Sequence, residues 1–203
     1  MIIDQANLIA SPPEAKTNFS FRDASNIARC FARYLKTKCD RFIFAGSLRR
    51  QKAIVNDIEI LYIPSFASEP DPLDLFGSMA KVNTTDRALE ALLAAGILAK
   101  RPNKNGALTW GDKNKLAIHL ESGIGIDFFS ATPSNYFNYL VCRTGGSETN
   151  VSICQAAIKI GWKWNPYGEG FSRVNPNEIH SCETERAVFD FVGLEYREPW
   201  ERA

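Results

Sequence analysis

Acidic residues in two apolar stretches are the first candidates for chemistry in this chain. Asp57 and Glu59 alternate with isoleucines in the run 57–62, and Asp127 lies in a second apolar run, 124–129. If both runs are strands, Asp57 and Glu59 leave the same face about 7 Å apart, while the isoleucines anchor the other face. Three converging carboxylates repel one another, and divalent cations that prefer oxygen ligands, Mg²⁺ or Mn²⁺, remove that cost. The pattern therefore predicts a two-metal site for phosphoryl transfer.

The alternative is a half-exposed strand on which Asp57 and Glu59 simply face solvent. A lone pair of alternating acids is more often of that kind. An acid on a separate strand, Asp127, and the turn that precedes Asp57 favour the metal site instead.

That turn is a glycine–serine pair at the end of an apolar run. Gly46 and Ser47 follow residues 42–45, and Arg49 and Arg50 come directly after. Glycine allows a sharp turn, and a helix that starts there exposes free N–H groups that attract phosphate. The arginines add forked donors suited to phosphate oxygens. The sequence predicts a phosphate-facing turn beside the acidic strand.

The composition is that of an ordinary globular protein. The chain has 203 residues, 45% of them hydrophobic and 23% charged, with a formal net charge of +1. This allows one large domain or two small ones, and contact with a polyanion must come from local patches. The five cysteines share no metal-ligand spacing. With only two histidines, the chain has few residues for a structural zinc site or for histidine-dependent catalysis. We expect no membrane span and an intracellular, cytoplasmic location.

Periodicity and turn signals predict the elements that must position these residues. The predicted helices are 20–38, 84–96, 135–142, 147–160 and 183–192. The predicted strands are 42–45, 57–63, 97–101, 107–110, 115–120 and 124–130, with a hairpin over 162–173. Residues 64–80, with three prolines, are predicted to form a loop with a short helix near 73–76. The fold class is α+β, with a mixed or antiparallel sheet backed by helices and a boundary near residue 133.

The combined motif resembles a known enzyme family. Gly46-Ser47-Leu48-Arg49-Arg50, followed by Asp57-Ile58-Glu59, is similar to the nucleotidyltransferase signature of the family X DNA polymerases, the polymerase-beta group. Further similar segments are 126–129, 142–146, 161–168 and 191–202. The resemblance covers about residues 20 to 203.

The resemblance implies an architecture and a set of site residues. Residues 1–19, which contain Ser11-Pro12-Pro13 and precede the resemblance, are expected to form an N-terminal leader. The resemblance implies a nucleotidyltransferase palm over 20–133 and a small thumb over 134–203. Two Mg²⁺ ions, or Mn²⁺, would be held by Asp57, Glu59 and Asp127, and Asp127 would also help to activate the primer 3′-hydroxyl. Nucleotide-binding residues would be Gly46, Ser47, Arg49, Arg50, Thr144, Gly145 and Asn150. Arg143 and Lys163 would line the DNA path.

Several positions depart from the family pattern. Glu59 stands where the family usually has Asp, and Gln51 replaces a usual Gly. Cys142 and Arg143 replace an aromatic pair beside the sugar, and Cys154 replaces an Arg near the template. We also expect no lyase or helix-hairpin-helix module, as in compact viral and phage members.

The expected function is transfer of dNMP from dNTP to a DNA 3′-end, as a monomeric gap-filling or repair-type polymerase acting on primer–template or gapped duplex. One alternative is a template-independent terminal transferase, or a nucleotidyltransferase that modifies RNA, protein or a small molecule. A second alternative is a non-catalytic module that binds DNA ends, in which Glu59 marks a decayed site.

Overall fold

The computed structural model describes residues 15, 17–71, 78–173, 175 and 177–202. Its helices are α1 (Phe21–Leu35), α2 (Gly46–Arg49), α3 (Thr84–Ala94), α4 (Tyr136–Thr144), α5 (Ser147–Lys159) and α6 (Glu185–Phe191), with a 3₁₀ turn at Pro199–Glu201. Its strands are β1 (Phe19–Ser20), β2 (Cys39–Phe44), β3 (Ile54–Val55), β4 (Asp57–Pro64), β5 (Phe66–Pro70), β6 (Met79–Asn83), β7 (Leu98–Lys100), β8 (Asn114–His119), β9 (Gly125–Ser130), β10 (Lys163–Asn165), β11 (Gly170–Arg173) and β12 (Glu178–His180).

A five-stranded mixed sheet forms the centre of the fold. Its strand order is β2-β4-β9-β8-β7. The β4–β9 pair is parallel, and the other three pairs are antiparallel. The sheet and the six helices confirm the predicted α+β class.

Helix α1 covers one face of the sheet because its apolar residues share one side. Ala24, Ala28, Phe31 and Leu35, at intervals of four, three and four, are buried. Ser20 caps the helix by accepting a hydrogen bond from the backbone N–H of Asp23 at 3.1 Å. This confirms the predicted start of the helix.

Helix α4 covers the opposite face. Leu61 and Phe129 of the sheet pack there with Tyr136, Tyr139 and Leu140 of α4. Strands β4 and β9 are therefore buried on both faces over most of their length, as their nearly continuous apolar sequences require.

The C-terminal region, defined here as residues 136–202, has a core of its own. Helices α4, α5 and α6 enclose Ile153, Trp164, Phe171 and Val188 beside the three-stranded antiparallel sheet β10-β11-β12. The indole N–H of Trp164 donates to Asn138 Oδ1 at 2.8 Å, which satisfies both buried polar groups at that contact.

Three element predictions are corrected. Residues 66–70 and 79–83 form an antiparallel hairpin, although we predicted a loop over 64–80. The predicted strand 107–110 makes only isolated bridges, Pro102 to Leu108 and Trp110 to Lys115. Strand β12 was not predicted.

Two other predictions fall largely outside the described residues. The short helix near 73–76 lies outside them, as does most of the leader over 1–19. Phe19, the last residue of that leader, pairs with Val55 in the β1–β3 ribbon. In the described part of the chain, every helix is too short or too polar to cross a lipid bilayer.

Candidate functional site

The parallel pairing of β4 and β9 brings the three predicted acids to one face of the sheet. Glu59 lies directly beside Asp127, and Asp57 lies beside Gly125. Asp57 and Glu59 share a face because side chains alternate along a strand, and registered neighbours point the same way. Asp127 is 8% exposed, and the other two acids are half-buried.

Two arginines approach these acids from different elements. Arg101, one residue beyond β7, forms an ion pair with Asp127 through Nη2, and its Nε donates to the Ala117 carbonyl at 3.2 Å. Arg143 of α4 places Nη1 3.6 Å from Glu59 Oε1. We did not predict Arg101 as a site residue, because only the strand order reveals that it reaches Asp127.

Burial raises the pKa of all three carboxyls. The pKa of Glu59 rises to about 7, because burial and the charge of Asp57 outweigh the attraction of Arg143. The pKa of Asp127 rises to about 6, again by burial, although Arg101 acts against it. The pKa of Asp57 is also raised by burial, against the charges of Arg101 and Arg143. Ionising all three groups without added positive charge is therefore costly.

The chemistry of this donor set fits Mg²⁺ or Mn²⁺. The three acids offer oxygen ligands, and burial raises the pKa of each of them, a cost of ionisation that a bound cation would offset. Within the described residues, however, no group of three or more His, Cys, Asp or Glu side chains is arranged to hold a metal ion. If Asp127 and Glu59 were to share an ion, the arginine contacts that they make in this structure would have to change.

Gly46 is fitted closely to Glu59. Its φ is +57°, a conformation that residues with a side chain rarely adopt. A Cβ at this position would collide with Glu59 Oε2 and lie 3.0 Å from Glu59 Cδ. Only glycine lets the turn lie against the Glu59 carboxylate.

The predicted helix after Gly46 is a single turn. Helix α2 contains only Gly46–Arg49, with Ser47 half-buried within it. Gln51 ends the turn with φ +55°, in the left-handed region. This is the position at which the family usually has Gly, and the conformation explains that preference.

Arg49 and Arg50 bind the C-terminal region in this structure. Arg50 Nη1 donates to the Thr144 carbonyl at 2.6 Å. Arg49 donates to Thr144 Oγ1 at 2.7 Å and to both carboxylate oxygens of Glu185, at 2.8 and 2.5 Å. Phosphate binding by either arginine stays a prediction, and for Arg49 it requires that the Glu185 pair open.

Glu185 is the centre of a buried charge cluster. Arg202, which is fully buried, donates to Glu185 Oε1 at 2.9 Å, on the same oxygen that Arg49 contacts. Burial acts to raise the pKa of Glu185, but the two guanidinium groups hold it below its usual value. This cluster joins the Gly-Ser turn to α6 and to the C-terminal end of the described chain, and no local sequence signal indicated it.

The remaining predicted ligands lie in or beside α4 and α5. Asn150 Nδ2 donates to the Cys142 carbonyl at 2.9 Å. A Cβ at Gly145 would lie 2.9 Å from Asn150 Oδ1 and 2.9 Å from the Val141 carbonyl, so glycine is required there too. Lys163 is exposed on β10. Contacts of these residues with nucleotide or DNA stay predictions.

A cavity of about 860 Å³ lies elsewhere, near the C-terminal ends of β4 and β9. Its lining includes Lys81, Lys113, Asn114, Tyr139 and Tyr167. None of the predicted site residues lines it. The candidate site therefore lies outside this cavity, although Tyr139 and Tyr167, which line it, also contact Arg143.

Comparison with known families identifies the C-terminal part of the chain. Residues 139–203 match the family described as DNA polymerase beta thumb. No curated protein matches the chain significantly. The matched segment contains Thr144 and Glu185, the two residues that Arg49 contacts. The C-terminal third of the chain is therefore similar to a DNA polymerase beta thumb, which supports a family X-like polymerase assignment.

Proposed function

We propose that the chain is a DNA-directed nucleotidyltransferase that adds dNMP from dNTP to a DNA 3′-end and releases pyrophosphate. The observation that carries the proposal is the parallel register of β4 and β9, which aligns Glu59 with Asp127 next to the Gly46 turn. The polymerase beta thumb match supports DNA as the acceptor. The chain is expected to act as a monomer on primer–template or gapped duplex.

The proposed ligands of two Mg²⁺ ions, or of Mn²⁺, are Asp57, Glu59 and Asp127. When bound, the ions supply positive charge that offsets the charge developing on the triphosphate. In the transfer step, the primer 3′-oxygen forms a bond to the α-phosphorus, and the bond from that phosphorus to the bridging oxygen of the β-phosphate breaks. Asp127 is the proposed acceptor of the hydroxyl proton.

The turn residues are assigned to the leaving group. Ser47 and Arg50 are the proposed contacts of the β- and γ-phosphates, where fixed donors stabilise the departing pyrophosphate. Arg50 Nε is buried and has no hydrogen-bond partner among the described residues. Buried donors are nearly always paired, so Arg50 keeps one unsatisfied donor in this arrangement, which a phosphate could reach only if the side chain moved.

The experiment measures incorporation of labelled dNTPs or rNTPs, with Mg²⁺, into gapped, primed and single-stranded DNA. Asp127→Asn removes one proposed ligand and should abolish extension. Asp112→Asn is the matched control, because Asp112 is an exposed acid that lines the distant cavity, and it should retain extension. Template-matched products that are lost only in Asp127→Asn support the proposal.

Other outcomes identify the alternatives. Extension of single-stranded DNA without regard to template would indicate a terminal transferase. DNA binding that survives Asp127→Asn, with no incorporation by either protein, would indicate a non-catalytic DNA-end binding module and would refute the proposal.

A further inference from the structure

The guanidinium group of Arg143 lies in a box of aromatic rings. Its Cζ is 3.6 Å from the ring centroid of Phe129, 5.4 Å from that of Tyr167 and 5.6 Å from that of Tyr139. An arginine held over aromatic faces at these distances is attracted to them electrostatically and packs against them. Arg143 is therefore fixed in place rather than free in solvent, and only 26% of its side chain is exposed.

The open side of this box faces the acidic strand. Arg143 Nη1 is 3.6 Å from Glu59 Oε1, which is an ion pair but too long for a hydrogen bond. Arg143 Nε is buried and has no hydrogen-bond partner in the described residues. The Glu59 carboxylate thus lies between the Gly46 backbone and a fixed positive charge.

The contact crosses between two parts of the molecule. Glu59 and Phe129 belong to the central sheet, whereas Arg143 belongs to α4, at the start of the C-terminal region. With Asp127 paired to Arg101, two of the three acids already have a protein counter-ion. This agrees with the absence of a metal-holding group of three acids among the described residues.

We propose that Arg143 is a positioning residue that holds Glu59 until a divalent cation takes its place. The proposal rests on the metal site of the proposed function. Arg143 competes with the cation, because both cannot neutralise the same carboxylate at the same point. By linkage, a bound cation weakens the Arg143–Glu59 contact by the same factor as the contact weakens cation binding. Loading the site is therefore coupled to the position of α4.

The test measures Mn²⁺ binding to the full chain by electron paramagnetic resonance, without DNA or nucleotide. Arg143→Met removes the charge and keeps an apolar side chain in the box. It should tighten Mn²⁺ binding about two- to fivefold, the upper part of the range measured for ion pairs that are not fully buried. Arg143→Lys should stay near wild type. Lys36→Met, an exposed cation at the end of α1 that belongs to no predicted site, is the control and should change the affinity less than about twofold.

A second pair of variants keeps the test independent of folding defects. Arg143→Gln replaces Arg143→Met if the latter does not give the circular dichroism spectrum of a folded protein. In a Glu59→Gln background, removing Arg143 should tighten Mn²⁺ binding less than it does in the wild type, because the carboxylate that Arg143 contacts is gone and only its longer-range action on Asp57 and Asp127 is left. Unchanged or weaker Mn²⁺ binding in the folded Arg143 variants would overturn the proposal.

The two proposals fail in different ways. If wild type incorporates nucleotides but Arg143→Met leaves Mn²⁺ affinity unchanged, the inference about Arg143 is wrong and the proposed function stands. If Arg143→Met tightens Mn²⁺ binding but wild type incorporates no nucleotide on any DNA, the proposed function is wrong and the role of Arg143 stands.

Discussion

Replacing Gly46 by alanine tests the geometry at the point where the turn meets the acidic strand. The new Cβ adopts φ +57°, which costs about 1–2 kcal/mol for a residue with a side chain. It also collides with Glu59 Oε2 and lies 3.0 Å from Glu59 Cδ and 3.3 Å from Cγ. Relieving that overlap forces Glu59 off its rotamer, at about 0.5–1.5 kcal/mol. Gly46→Ala should therefore lower the free energy of unfolding by about 1.5–3.5 kcal/mol.

A double-mutant cycle separates the two costs. In a Glu59→Ala background the overlap is gone, so Gly46→Ala should cost only the backbone part, about 1–2 kcal/mol. The difference between the two backgrounds, about 0.5–1.5 kcal/mol, is the coupling of Gly46 to Glu59. The unfolded-chain effect of replacing glycine is the same in both arms and cancels. Urea denaturation in metal-free buffer measures all four proteins.

Gly161 supplies a matched control for the backbone cost. Its φ is +79°, and nothing lies within 4 Å of a Cβ built there. Gly161→Ala should therefore cost about as much as Gly46→Ala does without Glu59. If Gly46→Ala costs the same with and without Glu59, or no more than Gly161→Ala, the contact between turn and carboxylate does not constrain the site, and the reasoning fails.

Two further predictions concern the charges of the site. In metal-free buffer the folded protein holds the Glu59 proton more tightly than the unfolded chain, because burial raises the pKa from 4.5 to about 7. Stability should therefore fall as pH rises from about 4.5 to about 7, and Glu59→Gln should remove up to about 3 kcal/mol of that fall in urea denaturation. Parallel pH curves for the two proteins would contradict this. Glu185→Ala should cost about 3–5 kcal/mol, because it leaves the fully buried Arg202 without its carboxylate. Glu178→Ala, which breaks the more exposed Arg173 pair, is its control at under about 1 kcal/mol, and an equal cost would refute a stabilising role for the buried cluster.

The sequence predicts what depends on local pattern. Alternating acids and isoleucines identified β4 within one residue of its end, and Ser20 with the apolar stripe identified the start of α1. Both signals follow directly from the geometry of a strand or a helix. The convergence of Asp127 with Glu59 was also expected, but its basis, a parallel pairing in register, appears only in the structure.

The sequence does not predict contacts between distant residues. Arg101 reaches Asp127 because β7, β8 and β9 are neighbours in the sheet, and Arg49 reaches Glu185 across 136 positions of the chain. The local sequence around an arginine at the end of a strand, or a glutamate at the start of a helix, is the same whether the residue forms an ion pair or faces solvent. These partners follow from the packing of whole elements.

The missed hairpin shows how proline signals mislead. Pro70 lies at the end of β5, which pairs only with β6 in a two-stranded ribbon, so its missing N–H disrupts no central ladder. Proline is rarely found in the central strands of a sheet, but it is compatible with an edge strand such as β5. The local pattern therefore predicted a loop where the chain forms a ribbon.

The contact between Gly46 and Glu59 bears on position 59, where this chain departs from the family X pattern that it resembles. The Glu59 carboxylate occupies the space that a side chain at position 46 would take, and Arg143 lies 3.6 Å from its other oxygen. An aspartate, one methylene shorter, would draw its carboxylate back toward β4, away from both the turn and Arg143. The added length thus has a specific use in this structure, because it brings the carboxylate to a glycine that tolerates it and to an arginine that stands where the family has an aromatic residue. If the Glu59 carboxylate did not lie against the Gly46 turn, the double-mutant cycle would return no coupling, and the added length would have no such use.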